Sequence, residues 1–197
     1  MSTFIKICGL RDAADVSAAV AAGANAVGFV FAESVRRISP ANAKAAVKDL
    51  PDGVRRVAVL RHPTSEECRA VIDGFAPDVI QTDAEDFATL EIPAQIECWP
   101  VIREGTESIG VPGIYVYEGR QSGSGATVDW SRAADIATNG RMLLAGGLAE
   151  DNVRVAIQTV RPWGVDVSSG VESLPGTKDH ELIQRFISAV RAAEKEI

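Results

Sequence analysis

Short apolar runs alternate with amphipathic segments from one end of the chain to the other. Most of the short runs are continuously apolar and rich in β-branched residues, which is typical of parallel strands that are buried on both faces. These runs predict eight strands: Thr3–Cys8, Ala26–Phe31, Arg55–Leu60, Val79–Thr82, Ile96–Ile102, Gly113–Glu118, Met142–Ala145 and Gly164–Val167.

The segments between the strands predict seven helices: Asp12–Ala22, Ala41–Leu50, Ser65–Phe75, Ala84–Leu90, Trp130–Thr138, Glu150–Val160 and His180–Lys195. Ser39 (before Pro40), Thr64 and Asp129 are suited to cap helix N-termini, because their side-chain oxygens accept bonds from free backbone N–H groups. Gly23 is placed to end the first helix in a left-handed conformation.

Alternating strands and helices predict an α/β fold with a parallel sheet. Eight such units within 197 residues favour a single closed (β/α)8 TIM barrel domain over residues 1–197. We expect the helix between strands five and six to be reduced or absent, since Arg103 to Pro112 is a short polar stretch. An open doubly wound sheet is the alternative, but no GxGxxG motif follows the first strand.

The composition is that of an ordinary globular protein, with 46% hydrophobic and 24% charged residues. A net charge of −7 argues against nucleic acid as a partner, and no apolar stretch is long enough to predict a membrane span. The N-terminus enters the first strand directly, unlike a signal peptide. Three widely spaced cysteines predict neither a disulfide framework nor a zinc site, so we expect a cytoplasmic protein.

The first strand places Lys6 and Cys8 inside the barrel, with Ile5 and Ile7 facing the helices. An unpaired ammonium is costly to bury, so a lysine at an inward position requires a structural or functional explanation. Lys6 is expected roughly 7 Å from Cys8 along the strand, near enough to favour the thiolate. Because barrel enzymes carry catalytic groups at C-terminal strand ends, Cys8 is a candidate catalytic residue. A small buried hydrophobic cysteine is the alternative.

The ends of strands seven and eight predict a phosphate site. Glycines let backbone N–H groups approach a phosphate closely, serine hydroxyls add donors, and these two loops form the usual phosphate site of the fold. The residues concerned are Gly146, Gly147, Ser168, Ser169 and Gly170. Alternation also places Asp166 inward, and a carboxylate inside a barrel is a candidate ligand for a substrate.

Other polar features are less specific. Arg36 and Arg37 follow strand two and suit either a bidentate clamp on a carboxylate or phosphate or a solvated surface pair. The glycine-rich segment 122–125 alone predicts a mobile surface loop. His62 and His180 have no metal-like companions in the sequence, so we interpret them as loop or helix-cap residues.

Several motifs occur in the order of one known family. They are Lys6-Ile7-Cys8-Gly9-Leu10, Ala26-Val27-Gly28-Phe29-Val30-Phe31, Arg36 with Ile38-Ser39-Pro40, Gly123-Ser124-Gly125 with Asp129-Trp130, Ala145-Gly146-Gly147-Leu148 with Asn152-Val153, and Val165-Asp166-Val167-Ser168-Ser169-Gly170-Val171-Glu172. Over essentially its full length the chain resembles the phosphoribosylanthranilate isomerases, barrel enzymes of tryptophan biosynthesis. The first and last motifs are the specific ones.

This resemblance implies a cofactor-free isomerase that performs an Amadori rearrangement of N-(5-phosphoribosyl)anthranilate to 1-(2-carboxyphenylamino)-1-deoxyribulose 5-phosphate. A general acid opens the furanose ring to a Schiff base, and a general base removes the C2 proton to give an enolamine that tautomerises to the ketone. The resemblance implies that Cys8 is the base and that Gly146, Gly147, Ser168, Ser169 and Gly170 cradle the phosphate. It implies substrate contacts for Lys6, Arg36, Gln81 and Asp166.

Two strand ends depart from the family pattern. Strand four usually ends in Gln-Leu-His-Gly, but here Gln81 is followed by Thr82-Asp83-Ala84, which adds an acid. Strand six usually ends in an aspartate that serves as the general acid, and here the candidate acid is Glu118, one methylene longer. A displacement on the order of 1 Å can cost about a hundredfold in rate, so we expect weakened activity. Arg37 also replaces a position that is often aromatic, so the anthranilate ring is expected to be held differently.

Two other functions stay open at this stage. One is a barrel that binds a phosphorylated ligand but has degraded catalysis, which the altered strand ends favour. The other is an isomerase for a different phosphoribosyl aminoaldose, such as the one of the histidine pathway. That reaction normally uses aspartates at the ends of strands one and five, and Cys8 argues against it. Both a monomer and a homodimer fit an ordinary barrel surface.

Overall fold

Eight parallel strands close into a barrel in the computed structural model, which describes residues 2–106, 113–120 and 125–196. The strands are β1 Phe4–Cys8, β2 Ala26–Val30, β3 Arg55–Val59, β4 Val79–Asp83, β5 Glu97–Arg103, β6 Ile114–Glu118, β7 Arg141–Leu144 and β8 Gly164–Val167. They follow chain order around the barrel, and β8 pairs with β1 to close it. The predicted TIM barrel is confirmed.

Helices cover the outside of the barrel: α1 Ala13–Ala22, α2 Pro40–Ala46, α3 Ser65–Phe75, α4 Trp130–Ala137, α5 Val153–Val160 and α6 His180–Ala193. The predicted caps are confirmed. Ser39 and Asp129 accept bonds from backbone N–H groups of the first turn, and Thr64 forms a capping box with Glu67. Gly23 ends α1 with a φ of 104°. None of the described helices is long and apolar enough to cross a membrane.

Three predicted boundaries are wrong. The helix expected at Ala84–Leu90 is a short 3-10 helix, Ala84–Ala88, because the side chain of Asp86 is tied to Thr82 and His62 at the mouth of the barrel. Helix α2 ends at Ala46 instead of continuing to Leu50. Helix α5 begins three residues late, since the Asn152 side chain turns the preceding segment by accepting the N–H of Ala149.

Parts of two predicted loops lie outside the described residues. Between β5 and β6, residues 107–112 are not described, so the reduced helix there stays a prediction. Ser122, Gly123 and Ser124 of the glycine-rich segment are likewise outside the description, which resumes at Gly125.

A hairpin after β8 was not predicted. It consists of β9 Glu172–Leu174 and β10 Thr177–Lys178, which pair antiparallel around Gly176. Gly176 has a φ of 82°, and an added Cβ would lie 2.8 Å from the Val35 carbonyl oxygen. Because of this close approach, the hairpin packs against the loop that follows β2, and the polar residues of the hairpin reach the mouth of the barrel.

The core has two layers. Ile5, Ile7, Val165 and Val167 pack outward against the helices, as predicted from alternation. The barrel interior is filled by Ala26, Val57, Val79, Trp99, Val101, Val116, Leu143 and Ala145.

Aromatic rings close the N-terminal end of the barrel. Phe4 stacks on Trp163 with ring centroids 4.6 Å apart and meets Trp99 edge-on at 5.9 Å. Arg141 lies over the Trp163 ring, 5.5 Å from its centroid. This apolar floor leaves the polar inward residues at the opposite end, where the strands terminate.

Candidate active site

A pocket opens at the C-terminal ends of the strands, and most of the predicted site residues line it. Those that line it are Cys8, Arg36, Gln81, Glu118, Gly146, Gly147, Asp166, Ser168 and Ser169. Lys6 lies beneath the pocket, fully buried, and Gly170 lies behind it. Arg37 is exposed and does not line it, so of the predicted arginine pair Arg36 alone does so.

A buried ion pair lies at the bottom of the pocket. Lys6 Nζ is 2.7 Å from Asp166 Oδ2, because β1 and β8 pair with these two residues in register. Burial lowers the pKa of Lys6, but the carboxylate of Asp166, with a smaller contribution from Cys8, outweighs it and raises the pKa to about 12. Asp166 Oδ1 is buried and has no hydrogen-bond partner among the described residues. Such an acceptor is available to a hydroxyl of a bound ligand.

Cys8 lies at the end of β1 with 7% of its surface exposed. Burial raises the pKa of its thiol, and the opposing effect of Lys6 is too small to reverse the shift. Lys6 favours the thiolate, as its spacing from Cys8 predicts, but burial opposes it and the ammonium also bonds Asp166.

Gly28 makes room for this pair. A Cβ there would lie 3.0 Å from both Cys8 Sγ and Lys6 Cε. Gly28 appeared in the sequence only as part of a motif, and its spatial role depends on the pairing of β1 with β2. The three cysteines are all free thiols.

Arg36 is anchored by the hairpin. Its Nε and Nη2 donate to the two carboxylate oxygens of Glu172 at 2.7 and 2.8 Å. Glu172 also accepts from Lys178 Nζ at 2.7 Å and from the Gly176 N–H at 3.1 Å. Burial raises the pKa of Glu172, but the bonds from Arg36 and Lys178 outweigh it and lower the pKa to about 2. Lys178 donates further to the Ser168 carbonyl, which links Arg36 to β8.

The glycine loop after β7 lies beside the end of β8, so the residues of the predicted phosphate cradle come together. Gly146 and Gly147 have φ values of 90° and 61°, and a Cβ on Gly147 would lie 2.6 Å from the Thr127 nitrogen. The Asn152 side chain fixes the loop by donating to the Gly147 carbonyl at 2.8 Å. A Cβ on Gly170 would lie 1.9 Å from the Leu148 carbonyl oxygen, so only glycine lets the two loops meet.

The altered ends of β4 and β6 are joined by an arginine from β5. Arg103 donates through Nε and Nη2 to the two oxygens of Asp83 at 2.6 and 3.1 Å, and through Nη1 to Glu118 Oε1 at 2.6 Å. This ion pair bears on the role proposed for Glu118, because a neighbouring cation favours the ionised form of a carboxyl group and a general acid must be protonated.

His62 has acidic neighbours that its sequence context did not indicate. Its Nδ1 lies 2.9 Å from Asp86 and its Nε2 lies 3.6 Å from Asp83. The expectation that it lacks metal-like companions is wrong, since these three side chains group together. Both oxygens of Asp83 already accept bonds from Arg103, and we assign no metal to the group.

Comparison with known proteins identifies the family. A family model described as N-(5'phosphoribosyl)anthranilate (PRA) isomerase matches residues 5–189. The chain belongs to the phosphoribosylanthranilate isomerase family. The N-(5'-phosphoribosyl)anthranilate isomerase of Listeria monocytogenes serotype 4b is 38% identical over 96% of this chain and 99% of its own length.

Solved structures of phosphoribosylanthranilate isomerases share the fold. TrpF from Jonesia denitrificans is 33% identical, with a TM-score of 0.83 and 98% of each chain covered. A phosphoribosyl anthranilate isomerase in complex with reduced 1-(o-carboxyphenylamino)-1-deoxyribulose 5-phosphate is 31% identical, with a TM-score of 0.79, covering 96% of this chain and 99% of that one. The predicted fold, family and enzyme class are confirmed.

In this member of the phosphoribosylanthranilate isomerase family, sequence reasoning missed Arg103 and Lys178. Arg103 is the last residue of β5, whereas the sequence pattern predicts that it begins the polar loop after that strand. Lys178 lies in β10, a strand of two residues. The inward alternation of β5 would have found Arg103, because Trp99 and Val101 already face the barrel interior.

Proposed function

We propose that this chain converts N-(5'-phosphoribosyl)anthranilate to 1-(2-carboxyphenylamino)-1-deoxyribulose 5-phosphate by an Amadori rearrangement, with Glu118 as the acid and Cys8 as the base. The observation that carries the proposal is the order of the strands. The phosphate cradle belongs to β7 and β8, which lie between β6 with Glu118 and β1 with Cys8. A sugar whose phosphate sits in that cradle therefore presents its ring to both residues.

The cradle is suited to the phosphate group. We propose that Gly146, Gly147, Ser168, Ser169 and Gly170 surround it with backbone N–H groups and two hydroxyls. Gly146 and Gly147, in the loop after β7, both have a positive φ, a backbone conformation that residues other than glycine rarely adopt. Lys178 and Arg36 add positive charge beside Ser168, which favours a doubly charged phosphate.

The floor of the pocket is suited to the sugar hydroxyls. We propose that Lys6, Asp166 and Gln81 contact them. Gln81 Oε1 and Asp166 Oδ1 are buried acceptors that have no hydrogen-bond partner among the described residues, and sugar hydroxyls are donors. Arg36 lines the same wall, and we propose that it contacts the substrate beside Cys8.

The chemistry then needs one proton donor and one acceptor. We propose that Glu118 donates a proton to the ring oxygen, which opens the ring to a Schiff base. Cys8, as the thiolate, removes the C2 proton to give the enolamine, which tautomerises to the ketone. Because burial raises the pKa of Cys8, the thiolate is the minor form near neutral pH.

Single-turnover fluorescence of the anthranilate group tests the proposal with wild type, Cys8→Ser and Glu118→Gln. We expect each variant to lose a factor on the order of a hundred or more in rate, as for the removal of a general acid or base. If wild type and Cys8→Ser convert the substrate equally slowly, the isomerase assignment fails.

A second candidate is a barrel that binds the phosphorylated ligand with degraded catalysis. The Arg103–Glu118 ion pair favours it, because a carboxyl group beside a cation is harder to protonate and so less suited to act as a general acid. Equilibrium binding of the substrate without turnover by wild type would support this candidate. A third candidate is an isomerase of another phosphoribosyl aminoaldose, which normally carries paired aspartates at the ends of strands one and five. In this chain β1 and β5 end in Cys8 and Arg103, which argues against that function.

We further propose that the protein acts in the cytoplasm as a monomer or homodimer. The three free thiols are compatible with a reducing compartment. Sedimentation at working concentration distinguishes the two assembly states.

A further inference from the structure

The hairpin of β9 and β10 carries two buried charged residues that do not line the pocket. Glu172 and Lys178 are paired in the register of the hairpin, and their side chains are 3% and 0% exposed. Neither is among the lining residues, so neither contacts a ligand bound there. Burying charged groups is costly unless they are paired and hydrogen-bonded, so their partners indicate what the hairpin does.

The Glu172 carboxylate is filled by hydrogen bonds. Arg36 donates to both of its oxygens through Nε and Nη2, at 2.7 and 2.8 Å, in the geometry of a planar fork. Lys178 Nζ donates at 2.7 Å and the Gly176 N–H at 3.1 Å. Burial raises the pKa of Glu172, but the bonds from Arg36 and Lys178 outweigh it and lower the pKa to about 2. The carboxylate therefore stays ionised, and holds Arg36, throughout the pH range of an enzyme assay.

The fork occupies one edge of the Arg36 guanidinium and leaves Nη1 without a hydrogen-bond partner among the described residues. In an arginine, Nη1 lies on the same side of the guanidinium as Cδ. The Cδ of Arg36 packs on Gly9, the residue after Cys8, since a Cβ on Gly9 would lie 2.7 Å from it. The Nη1 N–H groups are therefore at the end of β1, on the wall of the pocket that Cys8 also lines.

Lys178 keeps this group of three side chains positive. Arg36 and Glu172 alone would cancel in charge, and Lys178 adds a second cation 2.7 Å from the same carboxylate. It also donates to the Ser168 carbonyl at 2.9 Å, which fixes the group to the end of β8. Arg36 therefore faces the pocket with positive charge that the carboxylate holding it does not cancel, which favours an anionic substrate.

We propose that Glu172 is a positioning residue for the isomerisation, which holds Arg36 by one edge so that the other edge meets the substrate beside Cys8. This role rests on the proposed function. An arginine side chain that is free to rotate loses rotamer freedom when a ligand orders it, and that loss weakens binding by about tenfold. The fork orders Arg36 before the substrate arrives, so the loss is avoided. Glu172 therefore acts on the reaction through Arg36 and without touching the substrate.

A double-mutant cycle measures whether Glu172 acts through Arg36. Glu172→Gln keeps the side-chain shape but has one acceptor oxygen and an amide that cannot receive the fork. We expect it to lower kcat/KM about tenfold or more when Arg36 is present, and less than about twofold in the Arg36→Met background. A merely structural residue would lower kcat/KM by the same factor in both backgrounds. That result, or an unchanged kcat/KM in Glu172→Gln, would overturn the proposal.

Glu97→Gln is the matched control. Glu97 pairs with Arg55 at the N-terminal ends of β5 and β3, on the side of the barrel away from the pocket. Removing its charge should change kcat/KM less than about twofold in both backgrounds. A loss equal to that of Glu172→Gln would mean that any broken glutamate–arginine pair has this effect, which contradicts the assignment.

Glu172→Asp keeps the test valid if Glu172→Gln does not fold. Aspartate retains the charge between Arg36 and Lys178 but is one methylene shorter, so the fork is displaced on the order of 1 Å. We expect a folded protein whose kcat/KM is lowered about tenfold or more with Arg36 present and less than about twofold without it. Full activity in Glu172→Asp, or an equal loss in both backgrounds, counts against Glu172.

Ligand binding separates this role from the isomerase itself. Titration calorimetry with reduced 1-(o-carboxyphenylamino)-1-deoxyribulose 5-phosphate gives Kd for wild type, Glu172→Gln, Arg36→Met and the double variant without any turnover. We expect Glu172→Gln to raise Kd about tenfold only where Arg36 is present. Coupled Kd values without turnover by wild type would refute the proposed isomerase alone, whereas turnover with the same loss in both backgrounds would refute the role of Glu172 alone.

Discussion

Replacing Lys6 by methionine tests the buried ion pair at the bottom of the pocket. The variant keeps most of the side-chain volume but removes the ammonium that lies 2.7 Å from Asp166. Both side chains are buried, with exposures of 0% and 8%, so water screens little of the interaction. Removing one partner of such a pair costs about 3–5 kcal/mol. Because Asp166 can neutralise itself by binding a proton, we expect the lower end, about 3 kcal/mol, at pH 8.

The direction of the pH dependence follows from the two pKa shifts. The pKa of Lys6 is raised from 10.5 to about 12 in the folded state, so its contribution is complete below pH 10.5 and is lost as the pH rises through 12. In the variant, burial without the ammonium raises the pKa of Asp166 further than in wild type. The destabilisation should therefore shrink as the pH falls and Asp166 takes up a proton.

Urea unfolding followed by tryptophan fluorescence at pH 8 and pH 5 measures both effects. The exposed Lys48→Met is the matched control and should change the free energy of unfolding by less than about 0.5 kcal/mol. The double variant Lys6→Met/Asp166→Asn should regain part of the loss, since it leaves no buried charge alone. A loss below about 1 kcal/mol at pH 8, or an equal loss at both pH values, would refute the reasoning.

Three further predictions concern the base, the cradle and the floor. Because burial raises the pKa of Cys8, kcat/KM should increase with pH from neutral into the alkaline range in a pH–rate profile; a flat profile would contradict Cys8 as the base. Gly147→Ala places a Cβ 2.6 Å from the Thr127 nitrogen, so steady-state kinetics should show a KM raised about tenfold or more, and an unchanged KM would argue against the phosphate cradle. Phe4→Ala removes the ring stacked on Trp163 and should lower the urea-unfolding free energy by about 2–3 kcal/mol while kcat/KM changes less than twofold.

Strand ends far apart in the sequence decide which charges meet. Lys6 and Asp166 are 160 residues apart, yet they lie in register because β8 closes the barrel onto β1. That closure gives the lysine a carboxylate partner, which the spacing of Lys6 and Cys8 within one strand does not reveal. The same holds for Arg103, because Asp83 and Glu118, to which it donates, lie on the strands on either side of it.

The sequence by itself determined the barrel, the helix caps and the inward side of each strand, because burial periodicity and capping are local properties of the chain. It therefore placed Cys8, Asp166 and the glycines after β7 at the end of the barrel where the pocket opens. Only the tertiary structure decided the charged neighbours of Cys8, the anchoring of Arg36 by the hairpin and the ion pair between Arg103 and Glu118. Each of these depends on a desolvated charge and its partner, and that partner is set by barrel closure and strand register, which no single segment encodes.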